Sequence, residues 1–189
     1  MGIPSIISLA GPPASGKTTL CKMIISSGKN YQLFNAPPIS NAKLDPEAFR
    51  NFLVHQNEAA SNFIKSIRKL KALSEKDFLI CDRGIEDILC FSEYALRHVF
   101  GVNEVRKYLP KTNFQSDYCF YLDVDAGTLI ERKNVRDKKD FGRGLGEKVP
   151  YWTFYRSWFL RRDKVIRLST HDENSFSTMG RIKQWTESI

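Results

Sequence analysis

The octapeptide Gly11-Pro12-Pro13-Ala14-Ser15-Gly16-Lys17-Thr18 satisfies the pattern G-x-x-x-x-G-K-[ST], between an apolar run, Ile3–Ala10, and an amphipathic segment. No other feature limits the fold as much. A strand that ends in a glycine-rich turn and continues as a helix places that turn at a sheet edge, its backbone N–H groups pointing inward. Such a turn cradles phosphate. The glycines permit close approach, Lys17 reaches the β- and γ-phosphates, and the Thr18 hydroxyl ligates Mg²⁺. The helix that starts near Lys17 adds its positive N-terminal end. Gly11, Pro12, Pro13, Ala14, Ser15, Gly16, Lys17, Thr18 and Thr19 are therefore the expected nucleotide contacts, with ATP and Mg²⁺ as cofactors.

The rest of the chain repeats the same alternation. Ile3–Ala10, Tyr31–Asn35, Phe78–Cys81, Tyr118–Leu122 and Val165–Leu168 read as strands, most of them apolar on both faces. Leu20–Ile25, Phe49–Leu70 and Ile85–Val99 carry apolar residues at three- and four-residue spacing, as helices do. Buried strands alternating with helices imply a parallel sheet of about five strands covered on both faces. The expected fold is a three-layer α/β (αβα) domain spanning residues 1–189. Pro37-Pro38 marks a loop, and Gly142, Gly144 and Gly146 mark a second, flexible one.

With 42% hydrophobic and 26% charged residues, the composition suits a globular protein and excludes collagen, a disordered chain and a disulfide miniprotein. No apolar run approaches the roughly 20 residues that span a bilayer. Met1–Ala10 lacks the features of a signal peptide, and Ile6 stands where a myristoylation motif requires Ser or Thr. Cys21, Cys81, Cys90 and Cys119 form no C-x-x-C pair and read as reduced, buried residues of a cytoplasmic protein. His55, His98 and His171 lack metal-ligand spacing.

The formal charge of +8 is concentrated late in the chain. Residues 132–148 hold seven basic side chains against three acids, and residues 156–167 hold five against one. Such clustering suits a polyanion, either nucleotide phosphates or nucleic acid, or else a solvated helix face.

Among phosphate-loop proteins, the N-K-x-D motif of small GTPases is missing: Asn41-Ala42-Lys43-Leu44-Asp45 has the wrong spacing. The Asp-Glu pair that closes the Walker B strand of AAA+ machines is missing too. Phe78–Cys81 is followed instead by Asp82-Arg83-Gly84, which brings one carboxylate and one guanidinium to the sheet edge where open α/β folds bind ligands. The alternative is that Asp82 caps the helix beginning at Ile85.

Asp82-Arg83-Gly84 resembles the D-R-[YHSG] or E-R-S element of the thymidylate kinase and deoxynucleoside kinase superfamily. Leu122-Asp123-Val124-Asp125, followed by Glu131-Arg132 and then Arg136-Asp137-Lys138, is similar to that group's lid segment, here at about residues 133–148. The resemblance implies a kinase that moves the γ-phosphoryl of MgATP to a nucleoside or nucleoside monophosphate. It implies that Asp82 activates the acceptor hydroxyl or organises Mg²⁺, and that Arg83 holds the acceptor end. Arg132, Arg136 and Lys138 match basic lid positions that meet ATP, Arg136 countering transition-state charge; Lys138 departs from the group's arginine. The motifs run from Gly11 to Lys138, and the last fifty residues match none of them.

Periodicity supplies one more candidate. Phe49, Gln56, Phe63 and Leu70 recur every seven residues, with Phe52, Leu53, Ala60 and Ile67 filling the same stripe. Gln56 therefore points where an apolar side chain is expected and requires polar partners, which a nucleobase edge, backbone or water supplies. Deoxynucleoside kinases carry a base-reading glutamine on the corresponding helix. Asp87, Phe91 and Tyr94 share one helix face and either line the acceptor pocket or pack. Tyr151, Trp152, Tyr155, Trp158 and Phe159 fit core packing better than a single-strand nucleic-acid surface. Asp123 and Asp125 either organise metal or cap the next helix. Two other functions stay open: a nucleic-acid 5′-end kinase or binder, and a nucleotide-binding ATPase or regulator with no small acceptor.

Overall fold

The computed structural model describes residues 3–12, 14–28, 30–34, 49–136, 149–170 and 174–188. Its strands are β1 (Ser5–Ala10), β2 (Tyr31–Phe34), β3 (Phe78–Asp82), β4 (Tyr118–Asp123) and β5 (Val165–Ser169). They form one sheet in the order β2-β3-β1-β4-β5, and every pairing is parallel. The helices are α1 (Lys17–Ser27), α2 (Phe49–Leu73), α3 (Ile85–His98), α4 (Ala126–Arg136), α5 (Val149–Leu160) and α6 (Ser175–Glu187). This is the expected three-layer arrangement.

Side-chain alternation along β1 explains the layers. Ile7 and Leu9 face α1 and α6, in a core with Leu20, Ile24, Phe120, Leu122 and Ile182. Ile6 faces the other way, onto Phe63, Ile67 and Ile88 of α2 and α3, and Ala10 meets Tyr155 and Phe159 of α5. With both faces covered, β1, β3 and β4 carry buried apolar residues on both sides instead of alternating. All four cysteines are buried and free, and burial pushes every thiol well above its usual range. Among the described residues no helix is long and apolar enough to cross a membrane.

Several boundaries differ from the sequence expectation. β1 begins at Ser5, whose N–H goes to Asp77 O at 2.9 Å, while Ile3 is exposed. Pro4 has no N–H to give to a ladder. Asp82 and Asp123 are the last residues of their strands. α4 runs to Arg136, so the first residues of the segment expected at 133–148 are helical. Residues 137–148, with Lys138, Gly142, Gly144 and Gly146, lie outside the described residues, as do Pro13, Asn35 and Pro37-Pro38. The stretch without a recognisable motif supplies all of α5, β5 and α6.

The turn after β3 is tightly enclosed. Glu86 is buried and accepts hydrogen bonds from Ser116 N at 2.9 Å, Ser116 Oγ at 3.1 Å and Ser8 Oγ at 3.4 Å. A Cβ on Gly84 would fall 2.3 Å from Glu86 Oε2 and 2.7 Å from Ser8 Cβ. Neither neighbour is free to withdraw. Gly84→Ala is therefore expected to destabilise the protein by about 1–3 kcal/mol, the usual range for overpacking, read from urea unfolding. A loss below roughly 0.5 kcal/mol, the scatter of ordinary surface changes, would show that Glu86 rearranges instead.

Candidate active site

Three strand ends converge because β1 lies between β3 and β4. The register sets Leu9 beside Asp82 and Ala10 beside Tyr121, so the turn leaving β1 is flanked by Asp82 and Asp123. The turn wraps as the motif requires. Gly16 has φ +96°, a left-handed conformation that glycine adopts without steric cost, and Ala14 is left-handed as well at φ 67°. A Cβ on Gly11 would lie 2.6 Å from Ser15 Oγ, so that position also needs the smallest residue.

Lys17 is buried inside this wrap. Its ammonium donates to Gly11 O at 2.6 Å, Pro12 O at 2.8 Å and Ser15 Oγ at 3.3 Å. Burial, reinforced by the Arg83 guanidinium, lowers its pKa to about 8, although Asp87 and Asp82 pull the other way. Thr18 and Thr19 are exposed at the mouth, and the Thr18 hydroxyl donates to Asp82 Oδ2.

Asp82 does not cap α3. The cap is Gly84, whose N–H donates to Asp87 Oδ2 at 3.0 Å. Arg83 sits between strand and cap with φ 79°, a strained conformation for a residue with a Cβ, and its N–H goes to Leu9 O at 3.2 Å. The kink leaves the Arg83 side chain exposed beside the half-buried Asp82.

Asp87 has another role than the one expected. It is buried, with one oxygen on Gly84 N–H and the other accepting from the Tyr155 hydroxyl, so neither is turned toward an acceptor. Phe91 packs between Phe52 and Tyr151, with ring centroids 6.3 and 6.1 Å away, and Tyr94 meets Tyr151 at 4.8 Å. The aromatics of α5 are core: Trp152, Tyr155, Trp158 and Phe159 are buried, which removes them as a stacking surface for nucleic acid.

Gln56 does face inward, only 1% exposed. Ser92 Oγ lies 3.0 Å from Gln56 Oε1 and 2.7 Å from Ile88 O, yet its one hydroxyl proton serves a single acceptor. With the amide as placed, Nε2 is buried without a partner. Turned over, Nε2 would donate to Ser92 Oγ and Oε1 would be left over. Either way one end of the amide is unsatisfied among the described residues.

At the neighbouring strand end, Asp123 takes both arms of Arg156, at 2.7 and 3.0 Å, and Arg167 at 2.5 Å. Burial pushes this carboxyl up, but the two guanidinium groups outweigh it and hold the pKa below the usual range. Asp125 caps α4 through Thr128 N–H at 3.0 Å, in keeping with the capping alternative. Arg132 reaches across to Thr170 O at 2.9 Å, beside the buried Thr170 Oγ1, which has no hydrogen-bond partner among the described residues. Arg136 ends α4, and Lys138 lies beyond the described residues. Sequence reasoning missed Tyr155 and Ser92 as polar partners, because each reads locally as helix packing.

No protein-family model matches the sequence. Among curated proteins, the thymidylate kinase of Rickettsia conorii is 30% identical over 186 residues, covering 86% of this chain and 88% of that protein. The thymidylate kinase of Clostridium novyi is 25% identical over 160 residues, covering 74% and 75%. Among solved structures, Candida albicans thymidylate kinase has a TM-score of 0.66 at 15% identity, covering 98% of this chain and 92% of that one. Deoxyadenosine kinase from M. mycoides, with bound dATP, has a TM-score of 0.67 at 15% identity, covering 96% and 99%. These structural likenesses support the fold.

The buried lysine gives a measurable consequence. Its pKa of about 8 without ligand should rise when phosphate oxygens replace the loop carbonyls. Nucleotide binding at pH 8.5 to 9 should then take up a proton, seen as a dependence of calorimetric enthalpy on the buffer's ionisation heat. Lys17→Ala should abolish both the uptake and the phosphoryl transfer while keeping the fold. Buffer-independent heats in the wild type would show that Lys17 does not move to the phosphates.

Proposed function

The chain belongs to the thymidylate kinase family, and on that premise we propose that the phosphate loop, Asp82, Arg83 and Gln56 form one phosphoryl-transfer site. The protein is a P-loop kinase, an ATP-dependent phosphotransferase acting on a nucleoside or nucleotide acceptor. The observation that carries the site assignment is the hydrogen bond from Thr18 to Asp82 beside the buried Lys17. It sets a residue assigned to the phosphate side directly beside one assigned to the acceptor side.

Catalysis of this kind is positioning plus charge neutralisation. Lys17 exchanges the carbonyls of Gly11 and Pro12 for the β/γ-phosphate oxygens, and the loop N–H groups hold the phosphates from the other side. Thr18 and Asp82 are adjacent hard-oxygen ligands at the loop mouth, a donor set that fits Mg²⁺. When bound, Mg²⁺ supplies charge neutralisation at the phosphates. A carboxylate oxygen of Asp82 would take the hydroxyl proton of a nucleoside acceptor, or would hold the metal where the acceptor is a monophosphate whose attacking oxygen is already anionic, and Arg83 fixes the acceptor end. Arg132 and Arg136, with Lys138, are assigned to the ATP side by resemblance. The chain works as one domain in this reading.

Gln56 lies on the acceptor side, on the helix that packs beside α3. The unsatisfied end of its amide would hydrogen-bond the edge of the acceptor's base. Thymidylate, the acceptor named for the family, is the first to assay. A coupled ADP-release screen across nucleosides and monophosphates is expected to show turnover that requires one of them. ATP turnover that ignores every acceptor would favour a regulator. Stimulation by 5′-hydroxyl oligonucleotides with a steep salt dependence would favour a nucleic-acid kinase.

Gln56→Leu should leave the melting temperature unchanged or raised, because the position belongs to an apolar stripe and the amide is incompletely bonded. The same change should raise acceptor KM about tenfold, through the loss of a hydrogen bond to substrate. A large loss of stability with unchanged KM would make Gln56 a structural residue.

A further inference from the structure

Tyr155 projects from α5 into the space between the phosphate loop and the start of α3. Its hydroxyl accepts from Gly11 N–H at 3.2 Å and donates to Asp87 Oδ1, partners 144 and 68 residues away in sequence. Asp87 in turn closes the cap of α3 through Gly84 N–H at 3.0 Å. One phenol thus joins the first residue of the loop to the helix that follows Asp82 and Arg83.

Core packing does not require this hydroxyl. The Tyr155 ring packs on Phe159 at 4.7 Å, Tyr151 at 5.7 Å and Tyr121 at 6.1 Å, contacts that phenylalanine would keep. The polar atom answers a different need. Among the described residues the ladder of β1 stops at Ala10 on one side and Leu9 on the other, so Gly11 N–H leaves the sheet without a strand partner. A buried N–H must be paired, and Tyr155 pairs it. The tyrosine can then donate its own proton only to an acceptor behind it, which is Asp87.

We infer that Tyr155 is a positioning residue for phosphoryl transfer: its hydroxyl fixes the origin of the phosphate loop against α3 and keeps Asp87 as a buried counter-charge to Lys17 and Arg83. The inference rests on the kinase reading of the loop given above. Several groups set the state of Asp87. Burial raises its pKa to about 6, while the Tyr155 hydrogen bond, Lys17, Arg83 and Gly84 N–H act downward. Tyr151 on α5 and the thiols Cys81, Cys90 and Cys119 also face it, and burial keeps each of them neutral in this range. Glu86, next to it on α3, is turned to Ser8 and Ser116, and Asp82 shares Lys17 with it. The folded carboxyl is raised above its ordinary value, so Asp87 loses its charge as pH falls through about 6. Taking away the Tyr155 donor favours the protonated form and moves that loss to higher pH.

The test uses Tyr155→Phe in the full chain. The melting temperature should fall by about 4–8 °C, as expected for two hydrogen bonds in a chain of this size. Carbon NMR of the Asp carboxyls should show the Asp87 midpoint rising by about one pH unit, with Asp87→Asn identifying the resonance. At neutral pH, kcat should drop about tenfold with acceptor KM within about twofold, the signature of lost positioning. The acid limb of kcat should follow the NMR midpoint upward. An unmoved midpoint overturns the inference, and so does a raised midpoint with unchanged kcat. If the wild type turns over no acceptor, the kinase reading fails by itself. ATP affinity then decides: weakened binding in Tyr155→Phe supports a positioned loop, and equal binding overturns it.

Discussion

A loop that presents its backbone N–H groups to a ligand cannot use those groups to hold its own shape. Everything around Gly11–Lys17 follows from that constraint. Apart from two backbone bonds, Ser15 N–H to Pro12 O at 3.2 Å and Leu20 N–H to Gly16 O at 2.9 Å, the described contacts that brace the loop come from side chains. Lys17 ties Gly11 and Pro12 through their carbonyl oxygens, Tyr155 takes the first N–H, and Asp82 anchors Thr18 at the mouth. The braces arrive from α1, α5 and β3, so the loop's geometry is a property of the whole sheet.

Charge is arranged with the same economy. Phosphates bring several negative charges to the edge of the sheet, where two strands end in aspartate. Asp123 is neutralised outright by Arg156 and Arg167, so that strand end offers no net repulsion. Asp82 is left half-buried, and among the described residues its hydrogen bond comes from a hydroxyl and not from a cation. The basic character of residues 156–167 is therefore partly internal: two of its arginines balance a buried acid.

In the proposed reading the acceptor side is built from α2 and α3 rather than from the loop. Gln56 and Ser92 face one another across these helices, within an otherwise apolar interface that includes Phe52, Phe91 and Ala60. A polar pair in such a setting leaves one hydrogen-bonding end over, and substrate is the chemically suitable partner. Glu86 and Gly84 explain why the turn between β3 and α3 has no room for a side chain at its cap. A carboxylate bonded to Ser8 and Ser116 occupies the space that a side chain at position 84 would need.

Much of this was determined by the sequence alone. Local patterns carried it: the strand–glycine–lysine–helix order fixed the phosphate loop, apolar strands fixed a covered parallel sheet, and a seven-residue register turned Gln56 inward. Asp82 and Arg83 were legible as candidates because strand ends in such sheets meet ligands. What the tertiary structure decided depends on which strands are neighbours. The order β2-β3-β1-β4-β5 puts Asp82 against Thr18, gives Asp123 to two arginines and brings Tyr155 to Gly11. Asp87 and Tyr155 each look locally like helix positions, one a first-turn acid and the other a core aromatic. Their bond joins segments with no relation in sequence, and only packing α5 beside α3 on the same face of the sheet creates it.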